Sequence, residues 1–151
     1  PFWRIAIGSI ILAVFLLILW QGRYAGLGTN LISLSFDGEK IYLWDWLLKL
    51  VLTLFTLSLG FQGGEVTPLF AIGASLGSVL ASLFGLPVPL VAALGYFAVF
   101  GSSTNTLLAP IFIGVEVFGP ENTLAYVVVM SFAYVVNRKQ TIYGQQKIQE
   151  I

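Results

Sequence analysis

Fifty consecutive residues, 66–115, carry no charged side chain. Lys, Glu, Arg and Asp are the residues that surfaces in water normally display. A stretch without any of them belongs in hydrocarbon or in protein interior. The same pattern runs through residues 5–20, 50–64 and 122–137, which are also uncharged. Charged residues make up 9% of the 151, against roughly 25% in soluble domains. With a mean hydropathy of +0.93, this is a membrane composition. It excludes a disordered segment, a nucleic-acid binder and a soluble enzyme. His and Cys are both absent, which removes disulfides, thiol chemistry, His/Cys metal sites and His-based triads. No metal and no cofactor is implied.

The long uncharged stretch cannot be one helix. A bilayer core of about 30 Å needs about 20 residues at about 1.5 Å each. Two polar or Pro/Gly-rich interruptions divide it: Gly85-Leu86-Pro87-Val88-Pro89 and Gly101-Ser102-Ser103-Thr104-Asn105-Thr106. The pieces are residues 68–84, 89–100 and 107–118. The last two are short for a full crossing and read as half-helices. Irregular backbone at membrane depth survives only inside protein or beside a water-filled cavity. The remaining pattern predicts helices over 4–20, near 29–36, over 42–59 and over 122–137. A polar hinge at 21–30, a surface turn at 37–40 and a polar tail at 138–151 complete it. No strand pattern is present. The expected fold class is all-α: a polytopic membrane protein with broken helices, forming one transmembrane domain over residues 1–151. The first helix, preceded by Pro1 and followed by no small-residue cleavage site, reads as retained. Arg138, Lys139 and Lys147 place the C-terminus on the cytoplasmic side.

One segment stands out chemically. Gly60-Phe61-Gln62-Gly63-Gly64-Glu65-Val66-Thr67-Pro68 joins the third helix to the fourth. Pro68 suits a first helical turn, where a missing N–H costs nothing. Thr67 suits the N-cap. A helix therefore starts here behind a diglycine, and its first amides have no intrahelical acceptor. Open amides together with the helix dipole attract anions, and transporters use broken helices in this way. An ordinary capped turn is the plainer alternative. Glu65 would repel an anion unless it points away or is protonated when the anion is bound. The second option makes Glu65 a proton-coupling candidate.

Gly64-Glu65-Val66-Thr67-Pro68 with the following Leu69-Phe70-Ala71-Ile72-Gly73 resembles the G-x-F-x-P anion-binding motif of the CLC chloride channel and transporter family. Gly26-Leu27-Gly28-Thr29-Asn30 resembles the family's G-x-G-x-N segment. Ala109-Pro110-Ile111-Phe112-Ile113-Gly114-Val115-Glu116 resembles its A-P-x-x-G-x-x-x-x-E helix, with the Gly one residue later and a shorter Gly-to-Glu spacing. Ile142-Tyr143-Gly144 resembles the segment whose tyrosine faces the central anion. The resemblance covers nearly the whole chain, as the second of the family's two inverted repeats, with the first absent. It implies anion transport, with the amides of Glu65 and Val66 and the Tyr143 hydroxyl meeting a fluoride or chloride ion. Val66 and Thr67 replace the family's usual Phe and small residue. Glu-Val-Thr-Pro is similar to the fluoride/proton antiporter branch, so the resemblance implies proton exchange, a lipid bilayer setting in the plasma or inner membrane, and a homodimer. Chloride transport and a non-transporting assembly subunit are the alternatives. A membrane enzyme is disfavoured by the scarcity of polar groups.

The other polar residues have plain readings. Asp45 and Lys49 are spaced for an i, i+4 ion pair. Glu116 reads as structural, bonding neighbouring amides or hydroxyls. Gly73-x-x-x-Gly77 permits close helix approach. Residues 102–105 satisfy backbone at a helix break, and Trp3, Trp20, Trp44 and Trp46 are interfacial anchors.

Overall fold

A computed structural model describes residues 2–19, 23–137 and 140–143. Seven α-helices follow in order: α1 (Phe2–Ile18), α2 (Thr29–Phe36), α3 (Asp45–Ser58), α4 (Val66–Phe84), α5 (Val88–Thr104), α6 (Leu108–Phe118) and α7 (Thr123–Val136). A single 3-10 turn, Pro120–Asn122, leads into α7. There is no strand among the described residues, so the all-α class holds.

The helix ends follow from local chemistry. Gly85 closes α4 in the left-handed region at φ 66°, and its amide and that of Leu86 both turn back to the Ala81 carbonyl. Pro87 and Pro89 then open α5, where their missing amides leave no acceptor wanting. The second interruption lies further along than the sequence implies. α5 runs through Gly101, Ser102, Ser103 and Thr104 and ends at Asn105, a left-handed residue at φ 52°. Asn tolerates that conformation. Thr104 stays helical because its hydroxyl donates back to the Phe100 carbonyl. Gly101 is there for space, since a Cβ at this position would run into the side chains of Met130 and Pro110. α5 is thus 17 residues long, and only α2 and α6 remain as short pieces.

α4 is the centre of the bundle and contacts α2, α3 and, most extensively, α5. Its inner face is small: Ala71, Gly73, Ala74, Ser75, Gly77, Ser78 and Ala81 are all buried. A Cβ on Gly73 would meet the Gly95 carbonyl, and one on Gly77 would meet the backbone of Val91 and Ala92. The expected close approach therefore occurs, backbone against backbone. Tyr24, Leu31, Leu52 and Ala71 form one apolar cluster beside α4. Phe97, Tyr126 and Met130 form a second, joining α5 to α7 and packing Ile111 and Val115 of α6. Among the described residues α4 alone is both long and apolar enough to cross a bilayer by its own length. Ile10 and Leu17 of α1 and Leu124, Phe132 and Val135 of α7 stand largely exposed. Large apolar side chains exposed in this number suit hydrocarbon or further protein.

A buried carboxylate ties the loops to α3. Asp45 is fully buried and accepts from Arg23 (Nη2, 2.6 Å), from the Tyr24 hydroxyl (2.5 Å) and from the Tyr42 amide (2.8 Å). The expected Asp45–Lys49 pair is therefore not formed. Lys49 donates instead to the carbonyls of Tyr24 (3.0 Å) and Gly26 (2.7 Å). The reason is satisfaction of a buried charge. Arg23 reaches both carboxylate oxygens, which a lysine one turn away cannot match. Asp45→Ala leaves the Tyr24 hydroxyl without its acceptor and Arg23 with only the Lys40 carbonyl. It is expected to destabilise the fold by about 3 kcal/mol or more, read from unfolding in detergent. Asp37→Ala, on the exposed turn, should be near neutral in the same assay.

Candidate anion-binding site

α3 ends at a left-handed turn at Gly60, φ 91°. Residues 61–64 then run without regular structure to Glu65. Glu65 already has helical angles, φ −86° and ψ −26°, and is the N-cap of α4. The helix thus starts at Val66, two residues earlier than expected. Thr67 is its second residue and makes no cap, since no side-chain capping bond is formed. Pro68 is third, still inside the turn where its missing N–H is harmless. The first helical bond runs from Leu69 N to Glu65 O, at 3.3 Å. The amides of Val66 and Thr67 have no intrahelical acceptor. Gly64 is exposed, Glu65, Val66 and Thr67 are half-buried, and Pro68 is buried. These five site residues are contiguous and form one open helix start.

A cavity of about 250 Å³ adjoins this start. Leu12 and Leu16 of α1, Lys49 and Thr53 of α3, and Glu65 and Pro68 are among its walls. The Gly26–Gly28 turn closes one side. Both glycines are left-handed, at φ 65° and 86°. Gly28 also leaves room: a Cβ there would meet Ala71 of α4 and the Lys49 side chain. The G-x-G segment therefore serves two demands at once, backbone angle and close approach.

Tyr143 reaches the same end of the bundle by a different route. Phe70, in the first turn of α4, stacks on Tyr96 with ring centroids 4.0 Å apart and contacts Phe100 at 5.0 Å. The C-terminal end of α5 thus lies beside the N-terminal end of α4. The chain after α7 is tied to that end of α5. Asn137 donates to the Ser102 carbonyl (2.5 Å), Ile142 N to Ser103 O (2.9 Å) and Thr141 to Thr104 O (3.3 Å). The carbonyls of residues 102–104 thus accept from the later segment, through the Asn137 and Thr141 side chains and the Ile142 amide, while the Thr104 hydroxyl satisfies the helix end itself. Tyr143 is 44% exposed. Its hydroxyl makes no hydrogen bond to residues 64–68 among the described residues. Gly144, Trp20, Arg138, Lys139 and Lys147 lie outside the described residues.

Two other expectations change. Glu116 is exposed on α6, and it makes no bond to a neighbouring amide or hydroxyl among the described residues. Lys49, set aside in the sequence, proves to be 3% exposed and to line the cavity. The signal was its isolation: it is the one charge between Asp45 and Glu65, and intramembrane cations are functional candidates by default. No three His, Cys, Asp or Glu residues gather as a metal site among the described residues.

A helical bundle whose central helix opens at a glycine-rich break, beside an acid and a buried cation, defines a broken-helix membrane protein suited to ions. The profile of the family described as voltage gated chloride channel matches residues 1–138. The chain belongs to this CLC family, whose members are integral-membrane channels and transporters. It is 44% identical over 126 residues to the chloride/fluoride channel protein of Pseudomonas syringae pv. tomato, an alignment covering 83% of this chain and 28% of that protein. It also matches the crystal structure of a CLC-type fluoride/proton antiporter with a TM-score of 0.94 and 63% identity. That match covers 97% of this chain and 37% of the other. The chain therefore spans well under half of either relative.

Proposed function

We propose that the chain contributes the anion site of a CLC-type fluoride/proton antiporter, as the second of two inverted repeats and one transmembrane domain over residues 1–151. The observation that carries this is Glu65-Val66-Thr67-Pro68 on the open first turn of α4, in a chain 63% identical to an antiporter of that kind. Fluoride is small and strongly hydrated, so stripping its water demands strong replacement donors. The amides of Glu65 and Val66 supply two, behind the flexible Gly63–Gly64 pair. The Thr67 hydroxyl adds a third, and Tyr143 a fourth from the cytoplasmic side. Glu65 carries the proton: neutral beside a bound anion, ionised and stabilised by the helix dipole when the site is empty. The setting is the plasma or inner membrane, with a homodimeric assembly and a cytoplasmic C-terminus marked by Arg138, Lys139 and Lys147.

The test is ion flux. The native protein in liposomes should release fluoride faster than chloride, as read by ion-selective electrodes. Thr67→Ala should shift the fluoride-to-chloride ratio about fivefold or more, the scale of one hydrogen bond of about 1 kcal/mol, and Val66→Gly, which widens the site without removing a donor, should shift it as well. An unchanged ratio in both variants leaves chloride transport as the reading.

A further inference from the structure

The carbonyls in the last turn of a helix lack intrahelical partners, and in α5 three of them accept from the segment after α7. Ser102 O accepts from Asn137 Nδ2 (2.5 Å), Ser103 O from Ile142 N (2.9 Å) and Thr104 O from the Thr141 hydroxyl (3.3 Å). Thr141 does more than donate. Its Oγ1 also accepts from the Tyr143 amide, at 3.2 Å. One hydroxyl therefore joins the Tyr143 main chain to the end of α5. The anchor itself is firm. Thr104 is 1% exposed, and its own hydroxyl is held by Phe100 O and by Thr106 Oγ1, each at 2.8 Å. Phe100 in turn contacts Phe70 in the first turn of α4. A line of contacts thus runs from the open helix start through Phe70, Phe100 and Thr104 to Thr141 and the Tyr143 amide.

We propose that Thr141 is a positioning residue for the anion site: its hydroxyl sets the height and direction of the Tyr143 phenol relative to the start of α4. The assignment rests on the reading of Tyr143 as an anion-facing donor. The Tyr143 side chain is 44% exposed, so packing alone does not fix it. The phenol hydroxyl lies far from its own Cα. A small rotation of the main chain therefore carries it outside the narrow range of a hydrogen bond, and such misplacements are costly at ordered sites. In a chain lacking the Thr141 hydroxyl, the Ile142–Ser103 bond still holds the segment on α5 but does not fix the residue after it. Valine has nearly the shape of threonine and would fill this half-buried position. What threonine adds is the pair of bonds, one given and one received.

The test is fluoride flux by the native protein in liposomes, split into KM and kcat. Tyr143→Phe sets the reference and should raise the fluoride KM about fivefold, the scale of one hydrogen bond. Thr141→Val removes only the hydroxyl and should raise KM to a similar extent, with kcat changing less. Thr141→Ser returns the hydroxyl and should bring KM back to within about twofold of the parent. Thr141→Val added to Tyr143→Phe should change KM by less than about twofold, because the phenol hydroxyl it positions is already gone. Thr141→Ala removes the same hydroxyl and carries the test if Thr141→Val does not fold. A parent-like KM in the variant lacking the hydroxyl, beside a raised KM in Tyr143→Phe, overturns the positioning role and leaves the Tyr143 reading standing. A full additional loss in the double variant also overturns it, since Thr141 then acts on something other than the phenol. So does a Thr141→Ser variant that fails to restore KM. Tyr143→Phe at the parent KM overturns the Tyr143 reading and this one with it.

Discussion

Gly73→Ala should cost more stability than any other one-methyl change in the bundle, at the upper end of the 1–3 kcal/mol usual for overpacking or beyond it. The added methyl would meet the Gly95 carbonyl, and behind it the Tyr96 backbone. Neither is a side chain that can rotate away. Relief requires α4 and α5 to separate, and that opens space along a face lined by Ala71, Ala74 and Ala92, all buried. The loss of close packing then adds to the clash. Helix association in hydrocarbon depends on such packing, because lipid tails offer no hydrophobic penalty for coming apart. The measurement is the detergent-solubilised melting temperature. Gly63→Ala is the matched control, since a Cβ there meets nothing within 4 Å, and its melting temperature should barely move.

Glu65→Gln should abolish proton coupling, with the ratio of protons moved per anion falling at least tenfold, while the protein stays folded. The substitution preserves volume and leaves α4 intact, because Glu65 makes no side-chain capping bond. What it removes is the ability to alternate between charged and neutral at the mouth of the open helix. Proton uptake driven by a fluoride gradient, followed with a pH electrode beside a fluoride electrode, gives the ratio directly. Coupled transport at the parent ratio would remove Glu65 from the proton path. Loss of coupling with retained anion flux would place the acid there.

Much of this architecture is legible in the residues, and the exceptions share a physical cause. α2 over Thr29–Phe36, the apolar limits of α7 and the glycine pair at 73 and 77 follow from composition, period and spacing. That a helix opens within the site segment is legible as well, because diglycine followed by an intramembrane proline allows few structures, although its first residue is not. Errors arise where a local rule competes with a distant partner. Asp45 and Lys49 satisfy the i, i+4 spacing, yet each finds better partners in the 23–28 loop, which lies more than twenty residues away in sequence. Gly101 and the following polar residues look like a break, yet Met130 and Pro110 require a glycine in a continuous helix. Thr67 looks like a cap, but Glu65 has already entered helical angles. Tyr143 is placed by Ser103 and Thr104 of α5, contacts that no short-range pattern encodes.

The α4–α5 crossing also limits how this half of the molecule can move. Gly73, Gly77 and Gly95 interlock main chain to main chain, so the two helices behave as a welded strut. Sliding α4 along α5 by one turn would bring Leu69 to the place of Gly73, or Ala81 to the place of Gly77, where a Cβ has no room. In the antiporter proposed above, alternating exposure of the ion to the two sides would therefore not come from shear along this seam. It would come instead from parts outside the seam, such as carboxylate and hydroxyl side chains and the irregular 61–64 span. Such a machine would switch with displacements of a few ångströms, and its two end states would look nearly alike at the level of the helices.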